Sequence, residues 1–245
     1  MPKPVLIMQL RPEDETSDNE YQAILRYGGL REQDTVRLRI ETGGIPESLN
    51  LLDYSALIVG GSPFDISTPA EDKSAIQRQI EADFARLFEQ IIDRDFPFLG
   101  ACSGNGLLGA YLGASISNKY AEAVGCVTLR LTRAGLADPL LEGFPQSIEV
   151  LLGHKEACDV LPAGAVLLMT GENCPVQMFR VGQNVYATQF HPEGDAEGFG
   201  TRIRVYRHHG YFQPHEADAL IQSLDGAQTP YAQAILRRFV QRHLN

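Results

Sequence analysis

The stretch that most constrains this chain is residues 96–106, F-P-F-L-G-A-C-S-G-N-G. Phe96, Phe98 and Leu99 read as a short buried strand, and Leu107, Leu108, Tyr111 and Leu112 follow at helical spacing. Between them, Gly100-Ala101-Cys102-Ser103-Gly104 is the cysteine version of the G-x-S-x-G nucleophile elbow. Such a corner brings strand and helix close together while its central residue holds a strained backbone, so the small residues Gly100, Ala101 and Gly104 are what it requires. A thiol at a helix N-terminus faces unpaired N–H groups and the positive end of the helix dipole, which predicts stabilisation of the thiolate. The elbow by itself also describes a buried cysteine in a glycine-rich turn.

A second segment, residues 186–193, reads Y-A-T-Q-F-H-P-E. It is a strand that delivers a histidine and, two positions on, a carboxylate. A nucleophilic cysteine needs a base, and the base needs a third group to fix its tautomer. His191 and Glu193 supply both. Upstream, residues 56–59 form a four-residue apolar run that stops in Gly60-Gly61-Ser62-Pro63. With strands expected at 5–8 and 36–40 and a helix at 21–27 ended by Gly28-Gly29, the order is that of an α/β layered sheet, where sites gather at the carboxyl ends of strands. The alternation of Val36, Leu38 and Ile40 with Arg37 and Arg39 places the second strand near an edge. Thr68-Pro69-Ala70-Glu71 has the form of a capping box that opens a helix carrying Ile76, Ile80, Phe84, Leu87, Phe88 and Ile91 on one face. Further strands are expected at 124–129, 148–152, 165–169, 176–179 and 185–190.

G-x-C-x-G followed at this distance by Q-F-H-P-E, with a Gly-Gly turn ahead of both, resembles the class I, or triad-type, glutamine amidotransferases. The segments L-T-R-A-G-L-A-D-P-L-L-E-G-F-P, G-H-K-E, L-P-A-G-A and C-P-V-Q-M-F-R are similar to the amidotransferase domains of GMP synthase and their free-standing relatives, and the resemblance runs from about residue 5 to residue 193. It implies a flavodoxin-like or Rossmann-like fold: a mostly parallel central sheet with helices on both faces and a small antiparallel section. It further implies a Cys102–His191–Glu193 triad, an oxyanion hole from the Gly61 and Ser103 N–H groups, and substrate contacts at Gly60, Gly106 and His154. Cys102 would attack the γ-carboxamide of L-glutamine or another γ-glutamyl compound, and His191 would protonate departing ammonia and then activate water to free glutamate from the thioester. No cofactor or metal is implied. An ammonia-accepting synthetase would be a separate protein. Two departures matter: the C-x-G-x-Q glutamine is replaced by Gly106, and the usual H-G-D reads His154-Lys155-Glu156. These keep open a γ-glutamyl or other amide hydrolase on the same scaffold, and beside both stands a non-catalytic regulatory module. His154 reads equally as an exposed loop residue, and Gln177 and Gln189 as pocket or plain strand residues.

Thirty-one acidic against twenty-one basic residues, a net charge of −10, argue against nucleic acid or an anionic membrane as the main partner. The apolar run at residues 5–10 is too short for a signal-peptide core or a membrane span, so a cytoplasmic protein is expected. Four cysteines without a C-x-x-C pair suggest neither a disulfide framework nor a zinc site, and Cys126, Cys158 and Cys174 read as packing residues. His208-His209 would point about 100° apart on a helix and do not complete a metal set with His191 and Glu193. Residues 1–245 are expected to form a single domain, with 194–245 a helical extension of it: one helix over 196–208, another after Pro214 and a third from Thr229-Pro230.

Overall fold

Four consecutive buried residues, Val5 to Met8, open the chain, and a strand buried on both faces can sit only in the middle of a sheet. The computed structural model, which describes residues 3–244, places it there. The elements in order are β1 (Val5–Gln9), α1 (Asp14–Gly28), β2 (Thr35–Arg39), β3 (Ala56–Val59), α2 (Ala75–Arg94), β4 (Phe98–Ala101), α3 (Ser103–Tyr111), β5 (Ile116–Ser117), β6 (Glu122–Leu131), α4 (Arg133–Leu136), β7 (Ser147–His154), β8 (Ala157–Cys158), β9 (Val166–Thr170), β10 (Met178–Val181), β11 (Val185–Thr188), α5 (Ala196–Val205), α6 (Ala217–Ser223) and α7 (Pro230–His243). Nine strands form one sheet in the order β2-β1-β3-β4-β11-β10-β9-β6-β7, and β5 and β8 pair separately. The first five run parallel. From β10 onward the pairing is antiparallel.

Alternate residues of each strand feed opposite faces. Val5 and Ile7 pack with Ile24 and Leu25 of α1 and Ile235 and Phe239 of α7, while Leu6 and Met8 pack with Ile80 and Phe84 of α2 and Leu107 of α3. Helices therefore cover both faces, as the resemblance implies. β2 lies at the edge, half-exposed, in agreement with its alternating pattern.

Three helix boundaries differ from expectation. α1 starts at Asp14 rather than near residue 21, because its first turns bury Thr16, Ser17 and Glu20 against polar partners and so carry no apolar period. α2 starts at Ala75: Ser74 Oγ accepts the Gln77 N–H at 3.2 Å, and Thr68–Glu71 lie instead in turns closed by Thr68 N–H to Asp65 O and Asp72 N–H to Pro69 O. α5 ends at Val205, so His208 and His209 lie on turns and not on a helix. Beyond it come a single 3-10 turn at Pro214–Glu216, then α6, then α7, which begins as expected at Thr229-Pro230. Phe199 and Ile203 of α5 and Leu224 pack on Leu151 of β7, and α7 lies along α1.

Candidate active site

β4 and β11 are neighbours, with Ala101 opposite Thr188, so the residues just past their carboxyl ends emerge side by side. Cys102 N–H donates to Thr188 O at 2.8 Å, and His191 follows three residues after Thr188. Cys102 has φ 53° and ψ −96°, a left-handed position that costs a non-glycine residue on the order of 1–3 kcal/mol. The surrounding glycines allow the corner. A Cβ on Gly100 would lie 2.7 Å from the Gly104 backbone, and one on Gly104 would lie 3.3 Å from Val59 Cβ.

His191 Nδ1 and Glu193 Oε1 are 2.7 Å apart and both residues are buried. Glu193 leaves His191 with Nε2 as the nitrogen available for proton transfer. A partner that the sequence did not suggest is Arg202 of α5, whose Nη2 donates to the same Glu193 oxygen at 2.8 Å and lies 3.9 Å from Glu20 Oε2. Arg11 Nε in turn donates to Glu20 Oε2 at 2.7 Å. Glu20, fully buried, also accepts from Gln9 Nε2. Two guanidinium groups thus balance two carboxylates beside the imidazole.

Burial lowers the pKa of His191, and the nearby Arg202 and Arg11 work against the raising effect of Glu193. Burial alone would raise Glu193, but the charges and hydrogen bonds of His191 and Arg202 hold it well below the usual carboxylate range. Burial pushes the Cys102 thiol up to about 11, an effect that Arg11 and Arg202 oppose and Glu193 adds to. The expectation of a stabilised thiolate is therefore corrected: burial works against the charged form of Cys102 and outweighs the opposing pull of Arg11 and Arg202.

Two small cavities meet at Cys102. One, of about 40 Å³, is bounded by Cys102, His191, Arg11, Arg202 and aromatic side chains including Tyr211. The other, of about 20 Å³, is bounded by Cys102, Ser103, Gly106, His154, Glu156 and Gln189, with Tyr211 again on its wall. Tyr211 belongs to the turn after α5, and its Oη donates to Ser62 O at 3.2 Å.

The structure brings Cys102, Ser103, Gly106, His154 and His191 to these cavities, with Glu193 behind His191. Ser103 opens α3, where a first-turn N–H has no intrahelical acceptor. Gly61 differs from expectation: its N–H donates to Glu20 Oε2 at 3.2 Å. A Cβ on Gly61 would also meet the Arg11 guanidinium and, at 2.8 Å, His191 Cε1, so the position is pressed between the two. Gly60 faces Glu20 rather than either cavity, because a Cβ there would strike its carboxylate. At Gly106 a Cβ would fall 2.7 Å from Ile66 Cδ1, so Ile66 fills the volume that a longer side chain would need. His154 is buried, not an exposed loop residue, with Nδ1 3.0 Å from Glu156 O and Nε2 3.0 Å from Glu122 Oε2. Gln177 is also buried and donates to Glu122 Oε2 at 2.5 Å. Glu156 is bound by the Ile66 and Ser67 N–H groups at 2.6 and 2.8 Å.

Glu122, His154 and Cys174 have ligand-type atoms within 4.8 Å of one another, as do Glu20, His191 and Glu193. In the first group the imidazole and the Gln177 amide already bond the carboxylate, and in the second the guanidinium groups neutralise it, so both are hydrogen-bonded networks as they stand.

A parallel sheet with a cysteine on a strained elbow and a His–Glu pair on the adjacent strand end defines an α/β protein of the nucleophile-elbow class. Residues 16–212 match the family described as "Glutamine amidotransferase class-I", and the chain belongs to that family. It is 27% identical over 190 residues to a glutamine-hydrolysing GMP synthase of Thermosipho melanesiensis, a match covering 74% of this chain and 34% of that protein. It is 25% identical over 162 residues to one of the subunits of the glutamine-hydrolysing GMP synthase of Methanosphaera stadtmanae, covering 64% of this chain and 77% of that polypeptide. The match thus spans about a third of the length of the full-length GMP synthase. A crystal structure of a glutamine amidotransferase from Thermotoga maritima superposes with a TM-score of 0.76 at 23% identity, covering 98% of both chains, which shows the shared fold.

Proposed function

We propose that this chain hydrolyses the γ-carboxamide of glutamine or a related γ-glutamyl amide through a thioester on Cys102. The observation that carries the reading is the 2.7 Å His191–Glu193 contact beside a cavity shared by His191 and Cys102. His191 takes the thiol proton as sulfur attacks the amide carbon. The C–N bond then breaks as the same proton passes to the leaving nitrogen, and a water activated by His191 cleaves the thioester. Because burial disfavours both the thiolate and the imidazolium, proton transfer in this proposal accompanies attack rather than preceding it. The Ser103 N–H is the oxyanion donor of this proposal, and Gly61 joins it once Glu20 yields its N–H to the substrate. His154 and Gly106 line the acyl side. We further propose that 1–245 acts as one unit.

The Methanosphaera relative, one polypeptide of a GMP synthase made of separate subunits, supports a separate ammonia-accepting synthetase as partner. A second reading, a γ-glutamyl amide hydrolase, is favoured by the occupation of the space beside Gly106 by Ile66, which removes room for the family's glutamine side chain. Among the described residues no helix is long and apolar enough to cross a membrane. The test is glutamate release from L-glutamine by the wild type beside Cys102→Ala. Loss of about 10³-fold or more in rate is expected in the variant, with its melting temperature kept, and alkylation of the wild type by diazo-oxo-norleucine at Cys102 is expected as well. Equal rates in the two proteins overturn the reading.

A further inference from the structure

The cavity shared by Cys102 and His191 is larger than ammonia requires. At about 40 Å³ it offers room for roughly three water-sized groups, whereas ammonia is a single heavy atom. Its position decides what enters it. His191 has to hand a proton to the departing nitrogen, so any substituent on that nitrogen points into the cavity His191 lines, and the acyl chain enters the other, which Ser103, Gly106 and His154 border without His191. Val124, Phe199, Ile203 and Phe212 give the leaving side an apolar wall.

Its polar end consists of guanidinium groups with donors to spare. Arg11 is 4% exposed. It spends Nε on Glu20 and Nη1 on Tyr206 Oη at 3.2 Å, and Nη2 has no acceptor among the described residues. Arg202, 7% exposed, bonds Glu193 through Nη2, and its Nε and Nη1, though without partners, are closed off from open space by the packing, so the free donor offered to a ligand is that of Arg11. Buried donors of this kind are ordinarily satisfied, and a carboxylate is the group whose two oxygens match a guanidinium edge.

Resting on the proposed amide hydrolysis, we infer that this compartment receives the amine half of a substituted γ-glutamyl amide, one whose amine carries a short apolar body and a carboxylate, as in γ-glutamyl-glycine. In the first step the amide C–N bond breaks and the C–S bond to Cys102 forms. The thiol proton travels through His191 to the nitrogen, releasing the amino acid. Water then cleaves the thioester, one of its protons returning to sulfur, and glutamate leaves. Because Glu20 and Glu193 already offset the two cations, the carboxylate is held by directional hydrogen bonds and not by a net positive field. Selectivity of about tenfold follows from one such bond.

The experiment compares kcat/KM of the wild type for L-glutamine, γ-glutamyl-glycine and γ-glutamyl-ethylamide, which matches the glycine compound in length and lacks its charge. The expected order puts γ-glutamyl-glycine about tenfold above the ethylamide and no lower than glutamine. In Arg11→Met the glycine-to-ethylamide ratio should fall toward one, whatever happens to the absolute rates. Since Arg11 is bound to Glu20, folding of the variant is followed by its melting temperature, and if it does not fold the wild-type order decides. Equal rates for the two amides, or release from glutamine alone, overturn the assignment and leave the proposed hydrolysis standing. No glutamate from any of the three overturns both.

Discussion

Arg202 shares one carboxylate oxygen of Glu193 with His191, and under the proposed mechanism that arrangement sets the acid limb of the rate profile. The guanidinium charge helps hold the imidazole below its ordinary value, so removing it raises the His191 pKa. A base works only when unprotonated, so in Arg202→Met the acid limb of the kcat/KM profile should move to higher pH. A pH–rate profile that kept its acid limb in place would contradict the electrostatic link. At this scale the sequence was legible for the proposed triad and silent for its supports. Cys102, His191 and Glu193 stand in motifs with fixed spacing. Glu20 and Arg11 sit in a polar stretch with nothing to mark them as buried, and Arg202 reads as an ordinary helix residue. The inversion of the thiol expectation has the same origin, because desolvation depends on what the fold stacks over Cys102 and not on its neighbours in the chain.

Among the elements, α2 offers a direct test of where helices begin. Ser74 caps it and Thr68 does not, so Ser74→Ala should cost about 1 kcal/mol in denaturant unfolding while Thr68→Ala costs under about 0.5 kcal/mol. The reverse ranking would restore the boundary drawn from the capping-box pattern. The pattern misled because a serine six residues on could serve equally, and the choice was made by the loop's path past Glu156, which binds the Ile66 and Ser67 N–H groups. The elbow is the opposite case, since its small residues are required locally. Gly100→Ala would drive a methyl group to 2.7 Å from the Gly104 backbone, and a loss of about 2 kcal/mol or more is expected. Strands were the most legible elements, because short apolar runs bounded by turn residues have few other uses in a chain of this kind.

For the molecule as a whole, stability should depend on pH through His243, which is half-buried, and the buried His191. His243 on α7 is pushed down to about 4 by burial, with Arg242 adding to the shift and Asp95 opposing it, and its Nε2 is buried without a partner. The unfolded chain takes up that proton near pH 6.5 and the folded one only near pH 4, so stability is full above 6.5 and declines as pH falls through this window. His191, also lowered, acts in the same direction. His243→Gln should flatten the decline of the melting temperature between pH 6.5 and 4 by roughly 2–4 °C, a difference that differential scanning calorimetry resolves. An identical pH dependence in wild type and variant would remove His243 from the account.

The succession of apolar runs and glycine turns made the layered sheet legible, and the family resemblance supplied its parallel core. What no local pattern reported is the placement of β11 beside β4 at the centre, since pairings between distant segments leave no mark in either. That late insertion has a consequence in time. A ribosome releases the thiol long before it has made the strand that brings the imidazole, so an incomplete chain holds the sulfur at its ordinary solvent-exposed acidity with no imidazole beside it. The proposed pairing of thiol and imidazole therefore exists only once the sheet has closed.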